Sequence, residues 1–418
     1  MASRVAKLIM VTPENNNKFY DMTENPDGSI TAVWGRVDVT STTTHYPVGK
    51  KKWETLINSK IKKGYVDMTE MRAVEVAKSD FAVIGTPAVS AIVKELQSYA
   101  NRSVQQNYTI SSEAVTPQMV VAAQAVMDEL VPLLVVGKDA KPINDKLIEL
   151  YRVIPRKMKK VQYHLIDAAN PKLRDVGIDR VTQGNLAEIQ RLIANEQATL
   201  DVMGGQVKVS TAQKTLGTDN KASTILDAMG LAIESPSDKD VQSIKEFLGR
   251  NSNQYKKAFR VINKRTQAKF DQALTAAKNK TVRNYWHGSR NENWWSIIDS
   301  GLLIRPSNAV YTGSMFGDGI YGASKAQKSI GYSSLRGSYW ARGSATKGFL
   351  ALFSFHVGNQ LHVKSHASWM SSLTYNQLQK KGDYDSLYAH GGADLINDEF
   401  IVYTPAQVTI KYLIELSN

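Results

Sequence analysis

Cysteine is missing altogether from the 418 residues. Disulfides and cysteine-ligated zinc are thereby excluded, and the seven histidines are scattered without the spacings that metal ligation uses, so no metal is expected. Acidic residues are also in short supply. There are 39 Asp and Glu against 52 Lys and Arg, a formal charge of +13 with a pI of about 9.5. Such a surplus points to polyanionic partners, nucleic acid first. Long apolar runs are lacking: nothing approaches the ~20 residues of a membrane span. Lys7-Leu8-Ile9-Met10-Val11 is too short and turns polar too soon for a signal peptide. The expectation is an intracellular protein with no membrane partner, nuclear in a eukaryote and in the cytoplasm or nucleoid of a bacterium. Internal repeats and low-complexity tracts are absent as well. A hydrophobic content of 42% leaves room for sizeable cores, and the length suits two to four domains at about 100–200 residues each.

The basic charge is concentrated. From Lys245 to Arg283, eleven lysines and arginines are opposed only by Glu246 and Asp271. Arg156-Lys157-Met158-Lys159-Lys160 and Lys50-Lys51-Lys52 form two further clusters. One cluster alone reads as a solvated face; three favour a nucleic-acid partner.

Three segments differ in character. Residues 1–105 predict a small α+β unit. Lys7 to Thr12 reads as a strand, Asn25-Pro26-Asp27-Gly28 as a turn and Ile30 to Val37 as a second strand, before a helical pattern through Trp53, Leu56, Ile57 and Ile61. Residues 102–112 are polar and read as a linker. Residues 113–205 predict helices. One is capped by Thr116-Pro117, a second carries Leu147, Leu150 and Tyr151 and stops at Pro155, and a third ends before Gly204-Gly205. Residues 206–222 read as a connector. Residues 223–418 open with a helix through Val241, Ile244 and Leu248. Strands follow at Phe259 to Val261, Phe349 to Phe355, Phe400 to Tyr403 and Val408 to Ile414, with Pro405 breaking the last pair.

The chemistry-bearing residues lie in this last segment. Cleavage of NAD+ at its nicotinamide–ribose bond passes through an oxocarbenium-like state. The leaving group is already a cationic pyridinium and departs neutral, so no general acid is needed and one carboxylate suffices. Glu399, ahead of an apolar strand, is the candidate carboxylate, and His287 is suited to orient ribose hydroxyls. Gly288 permits close backbone approach to the carboxamide. Tyr321 and Tyr332 offer ring faces, and Ser329 a hydroxyl. Taken singly, each has a blander reading as core packing or solvated surface; the combination predicts an NAD+ cleft. Gly317-Asp318-Gly319-Ile320-Tyr321-Gly322 matches the dinucleotide fingerprint. It lacks a βαβ context and an acidic residue near Tyr339-Trp340-Ala341-Arg342, so a Rossmann site is not expected.

Residues 223–418 resemble the poly(ADP-ribose) polymerase family of diphtheria-toxin-like ADP-ribosyltransferases. The resemblance rests on Trp286-His287-Gly288-Ser289, Gly301-Leu302, Thr312-Gly313, Met315 through Tyr321, Lys328-Ser329, Tyr332, Asp398 through Tyr403 and Ala406-Gln407-Val408. It implies a mixed α+β transferase fold with a mainly antiparallel split sheet, and NAD+ as ADP-ribose donor with no metal. His287, Tyr321 and Glu399 would be the catalytic triad. Gly288 and Ser329 would hold the carboxamide, Tyr332 would stack on the nicotinamide ring, and Ser289 and Asn293 would meet the adenosine side. Leu303 stands where relatives often carry an arginine, with Arg305 nearby, and Ser314 where many carry a tyrosine. Both departures bear on acceptor choice and chain length, not on NAD+ cleavage.

Lys7-Leu8-Ile9, Asn15-Asn16-Asn17-Lys18, Trp34-Gly35-Arg36 and Lys63-Gly64-Tyr65-Val66-Asp67 resemble a WGR domain. That implies DNA binding near breaks or ends through Trp34, Gly35 and Arg36. Leu150-Tyr151-Arg152-Val153-Ile154-Pro155 resembles a signature of the family's helical regulatory domain. The implied whole is an α+β multidomain chain: a WGR-like domain at 1–105, a helical regulatory domain at 113–205 and a transferase domain at 223–418. It is expected to be a DNA-dependent polymerase of ADP-ribose acting on protein acceptors, itself included. The alternatives are a DNA-binding scaffold with an inactive transferase fold, or a mono-ADP-ribosyltransferase or NAD+ hydrolase. The retained triad speaks against the first; the missing signal peptide and the WGR-like segment speak against the others.

Overall fold

A computed structural model describes residues 4–71, 85–108, 115–173, 178–216, 224–304 and 315–418. Arg305, Thr312, Gly313 and Ser314, and parts of the two expected connectors, lie outside the described residues. The described chain divides into two compact units. One contains the described residues up to 71 with those of 101–207; the other contains 85–100 and those from 208 onward.

The first unit begins with β1 (Val5–Thr12), β2 (Asn16–Glu24), β3 (Ile30–Arg36) and β4 (Thr42–Tyr46), followed by α1 (Trp53–Ile61) and the two-residue β5 (Val66–Asp67). They form a five-stranded antiparallel sheet in the order β4-β3-β2-β1-β5. Ala6, Leu8, Tyr20, Met22, Ile30 and Ala32 line one face and pack on Trp53 and Leu56 of α1. β2 is a strand that the sequence did not announce, because Asn16, Asn17, Lys18, Asp21 and Thr23 hide its alternation.

Four helices follow: α2 (Pro87–Asn107), α3 (Pro117–Leu130), α4 (Ala140–Val153) and α5 (Leu186–Leu216). Thr116 caps α3 as expected, its side chain accepting from the Met119 amide ahead of Pro117. α4 ends before Pro155, and Arg152 donates from Nε and Nη2 to the Val11 carbonyl at 3.3 and 3.0 Å, fixing the helix to β1. Two expectations are corrected. The polar 102–112 stretch is helical to Asn107, because buried Val104 and Tyr108 give it an anchored face. α5 passes through Gly204-Gly205. Glycine destabilises a helix interior by only about 1 kcal/mol, and Leu192, Ile193, Leu200, Met203 and Val207 are buried along this one.

The second unit takes in residues 85–100 of α2, whose Val89, Ile92, Val93 and Leu96 join its core. It continues with α6 (Ile225–Ala228), β6 (Leu231–Glu234), α7 (Asp238–Leu248), β7 (Tyr255–Asn263), α8 (Lys264–Ala276), β8 (Val282–Gly288) and α9 (Trp294–Ser300). Then come β9 (Ile320–Gly322), α10 (Ala326–Ile330), β10 (Lys347–His356), β11 (Gln360–Val363), α11 (Tyr375–Gly382), β12 (Ser386–Ala389), β13 (Glu399–Val402) and β14 (Val408–Ser417). Two sheets result, β6-β7-β14-β10-β8 and β11-β12-β13-β9, antiparallel except for the parallel β11–β12 pair. β10 is buried from Gly348 to His356, which explains its unbroken apolar run. Pro405 marks the point where the chain leaves one sheet for the other. The architecture is mixed α+β. Among the described residues no helix is long and apolar enough to cross a membrane.

A buried network ties the first unit together. Arg156 pairs with Glu196, Tyr108 donates to Glu196 at 3.0 Å, and the Tyr151 hydroxyl donates to the His164 carbonyl at 2.9 Å. Arg156 therefore serves the core and not a solvated basic face. Burial, reinforced by the charges of Arg156 and Lys172, lowers the His164 imidazole to about 3. An unfolded imidazole, near about 6.5, takes up its proton first. Stability linked to His164 is thus complete above that value and declines as pH falls toward the folded one. The expected outcome is that His164→Gln lessens the loss of melting temperature between about pH 7 and pH 5, followed by circular dichroism. An unchanged slope would assign that acid sensitivity to other groups.

Candidate active site

The two sheets of the second unit join at one seam. Trp286 on β8 donates its amide to Ala323 at 2.8 Å, and Ala323 returns a bond to the Trp286 carbonyl at 3.0 Å. Tyr285 stacks on Phe400 of β13 at 3.9 Å between centroids, and Trp286 on Phe247 at 5.3 Å. These apolar anchors hold the residues that follow, His287 and Gly288, at the end of the edge strand.

Gly288 lies against the backbone of Ser329 on α10. A Cβ at Gly288 would collide with the Ser329 carbonyl oxygen and stand 2.7 Å from its carbonyl carbon. Glycine is thus required first by the protein's own packing. The G-x-G-x-x-G run has a similar origin: a Cβ at Gly317 would stand 2.5 Å from the Leu373 nitrogen, and one at Gly322 would stand 2.8 Å from Tyr285 Cβ. It packs the short strand β9 into the seam, with no dinucleotide-type helix after it.

His287 sits half-buried, edge-on to Phe353. Its Nδ1 is 3.1 Å from the Tyr321 carbonyl, which can only accept, so Nδ1 carries the proton and Nε2 keeps a lone pair. Burial lowers its pKa below the ordinary imidazole value, against a smaller opposing effect of the Tyr321 bond. Tyr321 on β9 pairs with Ile401 of β13. Its hydroxyl donates to the Gly317 carbonyl at 2.9 Å and accepts from the Phe316 amide at 3.1 Å, and its ring packs partly buried against the cluster of Phe316, Leu387 and Ile401.

Glu399 opens β13 and is buried, with Ala389 opposite it. Lys328 places Nζ 2.5 Å from Glu399 Oε1 and 3.3 Å from the Asn397 carbonyl. The role of Lys328 escaped the sequence reading. It was visible beside Ser329, but its partner lies on a distant strand. Burial and the nearby Glu399 charge both raise the phenol pKa values of Tyr321 and Tyr332, so both phenols remain protonated. Ser329 is buried on α10, and Tyr332 follows its end, with its amide donating to the Ser329 carbonyl at 3.1 Å. Asn293 donates to the Ser289 hydroxyl at 3.0 Å beside the end of β8. The seam therefore gathers His287, Gly288, Tyr321, Ser329, Tyr332, Lys328 and Glu399, with Ser289 and Asn293 adjoining. Among the described residues no group of three or more His, Asp or Glu could hold a metal ion.

Trp34, Gly35 and Arg36 lie on β3 of the other unit. Trp34 is 39% exposed, and its indole N–H donates to Thr44 Oγ1 at 3.1 Å. Arg36 donates to the Asn15 carbonyl and Oδ1 at 2.7 and 2.9 Å and to the Lys159 carbonyl at 3.1 Å. These bonds use three of the five guanidinium N–H groups.

Several known proteins are similar to parts of this chain. The profile of the poly(ADP-ribose) polymerase catalytic domain matches residues 238–418. The uncharacterized protein 101L of Invertebrate iridescent virus 6 is 30% identical over 53% of this chain and 83% of its own length. The poly [ADP-ribose] polymerase-like protein 100L of the same virus is 30% identical over 39% of this chain and 86% of its own. Poly [ADP-ribose] polymerase 1 of Xenopus laevis is 33% identical over 31% of this chain but only 14% of its own length.

A Gly288→Ala variant is expected to lower the unfolding free energy by about 3 kcal/mol or more, as overpacking against immobile backbone does, and to abolish nicotinamide-induced thermal stabilisation. Retained stabilisation would mean that the seam can open without harm.

Proposed function

The chain belongs to the poly(ADP-ribose) polymerase family and is an NAD+ ADP-ribosyltransferase, and on that premise we propose that it modifies protein acceptors, itself included, in response to DNA ends. The convergence of His287, Gly288, Ser329 and Glu399 at one seam carries the chemical part of this reading. The neutral His287 offers Nε2 to a ribose hydroxyl. The Gly288 backbone and the Ser329 hydroxyl hold the carboxamide, Tyr332 stacks on the pyridinium with Tyr321 beyond it, and Ser289 with Asn293 meets the adenosine half.

The C1–nitrogen bond of NAD+ breaks with its electron pair passing to the ring nitrogen, so nicotinamide leaves neutral. The carboxylate of Glu399 stabilises the positive charge that develops on the ribose. An acceptor nucleophile bonds to C1 and yields its proton to Glu399 or to water. Lys328 holds Oε1, fixing the rotamer and leaving Oε2 for the acceptor hydroxyl. Where that hydroxyl belongs to a previous ADP-ribose unit, a chain grows.

Control by DNA rests on the first unit. The exposed Trp34 ring suits stacking on a terminal sugar or base, Gly35 permits close approach, and Arg36 retains donors for phosphate. Helices α3 to α5 would then serve as the regulatory element.

Three outcomes test this reading. Glu399→Gln is expected to lose about 10²–10⁴-fold in chain elongation while still releasing nicotinamide, with products sized on a gel from labelled NAD+; long polymer from this variant would remove Glu399 from its role. Lys328→Gln removes the cation that holds Oε1, so chain elongation is expected to fall about tenfold or more while nicotinamide-induced thermal stabilisation persists. Unchanged elongation would make the pair structural only. Nicked DNA is expected to accelerate NAD+ turnover by the full chain and to lose that effect in Trp34→Ala. Equal turnover with and without DNA would exclude the switch.

A further inference from the structure

The segment between α10 and β10 carries an aromatic pair that the NAD+ chemistry does not use. Tyr339 is 76% exposed and Trp340 is 60% exposed, their rings meeting edge to face at 4.6 Å. Large aromatics left in water on a folded surface mark an interaction site. This loop is well tied down. The Trp340 and Ala341 amides both donate to the Gly331 carbonyl, at 2.9 and 3.0 Å, Arg336 N–H donates to the Ala345 carbonyl at 2.8 Å, and Gly343 N–H to Ser338 Oγ at 2.7 Å. Trp340 lies nearly parallel to Tyr332, 19° between planes and 6.1 Å between centroids, so the pair stands at the rim of the candidate nicotinamide pocket.

The charges that this loop itself carries are of one sign. Arg336 and Arg342 are exposed on the same loop, and Arg290 reaches it from the end of β8 by donating to the Ala341 carbonyl at 3.3 Å. From residue 319 to residue 382 the chain contains no aspartate or glutamate at all. Arg342 holds a left-handed backbone, φ +46, an uncommon conformation for a side chain of this size.

We propose that Tyr339 and Trp340 form a stacking platform for a single strand of nucleic acid at the mouth of the transferase cleft. Two ring faces at right angles suit successive unstacked bases, and the surrounding arginines suit the phosphates between them. A duplex hides its base faces and would engage only the charges. An acidic peptide would likewise satisfy the arginines and leave both rings in water.

The test uses the full chain carrying Trp34→Ala, so that the other candidate nucleic-acid surface is silenced. A fluorescein-labelled oligothymidylate of about ten nucleotides is titrated by anisotropy. The strand should bind. Tyr339→Ala and Trp340→Ala should each weaken it about tenfold, while Tyr339→Phe restores the parent affinity. Arg336→Gln and Arg342→Asn should each reduce the slope of log affinity against log salt by about 0.7; asparagine also accepts the left-handed backbone. Nicotinamide-induced thermal stabilisation, retained in Tyr339→Ala, verifies the fold. No binding by the parent would overturn the proposal, as would aromatic variants within twofold of it or an unchanged salt slope. So would loss of self-modification with strand affinity intact, which would assign the platform to protein acceptors.

Discussion

The catalytic unit depends on a close approach of two backbones, Gly288 at the end of an edge strand and Ser329 on a short helix. With a side chain at Gly288 the helix could not sit where it does, and Ser329, Lys328 and Tyr332 would all move with it. The paired bonds between Trp286 and Ala323 and the stack of Tyr285 on Phe400 fix the seam from the apolar side. The polar residues are thereby held by packing on both sheets, as a preorganised site requires. The side chains come from β8, β9, α10 with the turn after it, and β13, but all are referred to one point of contact.

Electrostatics at the seam follow from the same burial. Burial lowers the pKa of His287, while its Nδ1 bond to the Tyr321 carbonyl, which opposes that shift, defines the acceptor face at Nε2. A buried carboxylate would be costly alone, and Lys328 offsets its desolvation by pairing with Oε1. A single carboxylate is consistent with a leaving group that carries its own positive charge. On the proposed reading, the chemistry that needs two carboxylates in a glycosidase needs only Glu399 here.

Much of this was legible in the residues. The long apolar strands, the proline stop after α4, the Thr116 cap and the polar residues of the seam stand out because local rules and tertiary role agree. Lys328 was not legible as a partner of Glu399, because the pairing is made between a helix and a strand far apart in the chain. β2 and the end of α2 were missed for the opposite reason. Their polar residues obscure a few buried ones, such as Tyr20, Met22, Val104 and Tyr108, and only the folded context shows which side those face. Arg156 was read as part of a basic cluster facing a nucleic-acid partner, yet it is buried against Glu196. A basic residue in a cluster is not thereby a solvated one.

The central claim is that nicotinamide is held at the Gly288–Ser329 seam. The most direct measurement is a crystal structure of the protein soaked with nicotinamide. The account predicts the carboxamide hydrogen-bonded to the Gly288 backbone and the Ser329 hydroxyl, with the ring against Tyr332. Nicotinamide bound elsewhere, with the seam unchanged, would contradict it.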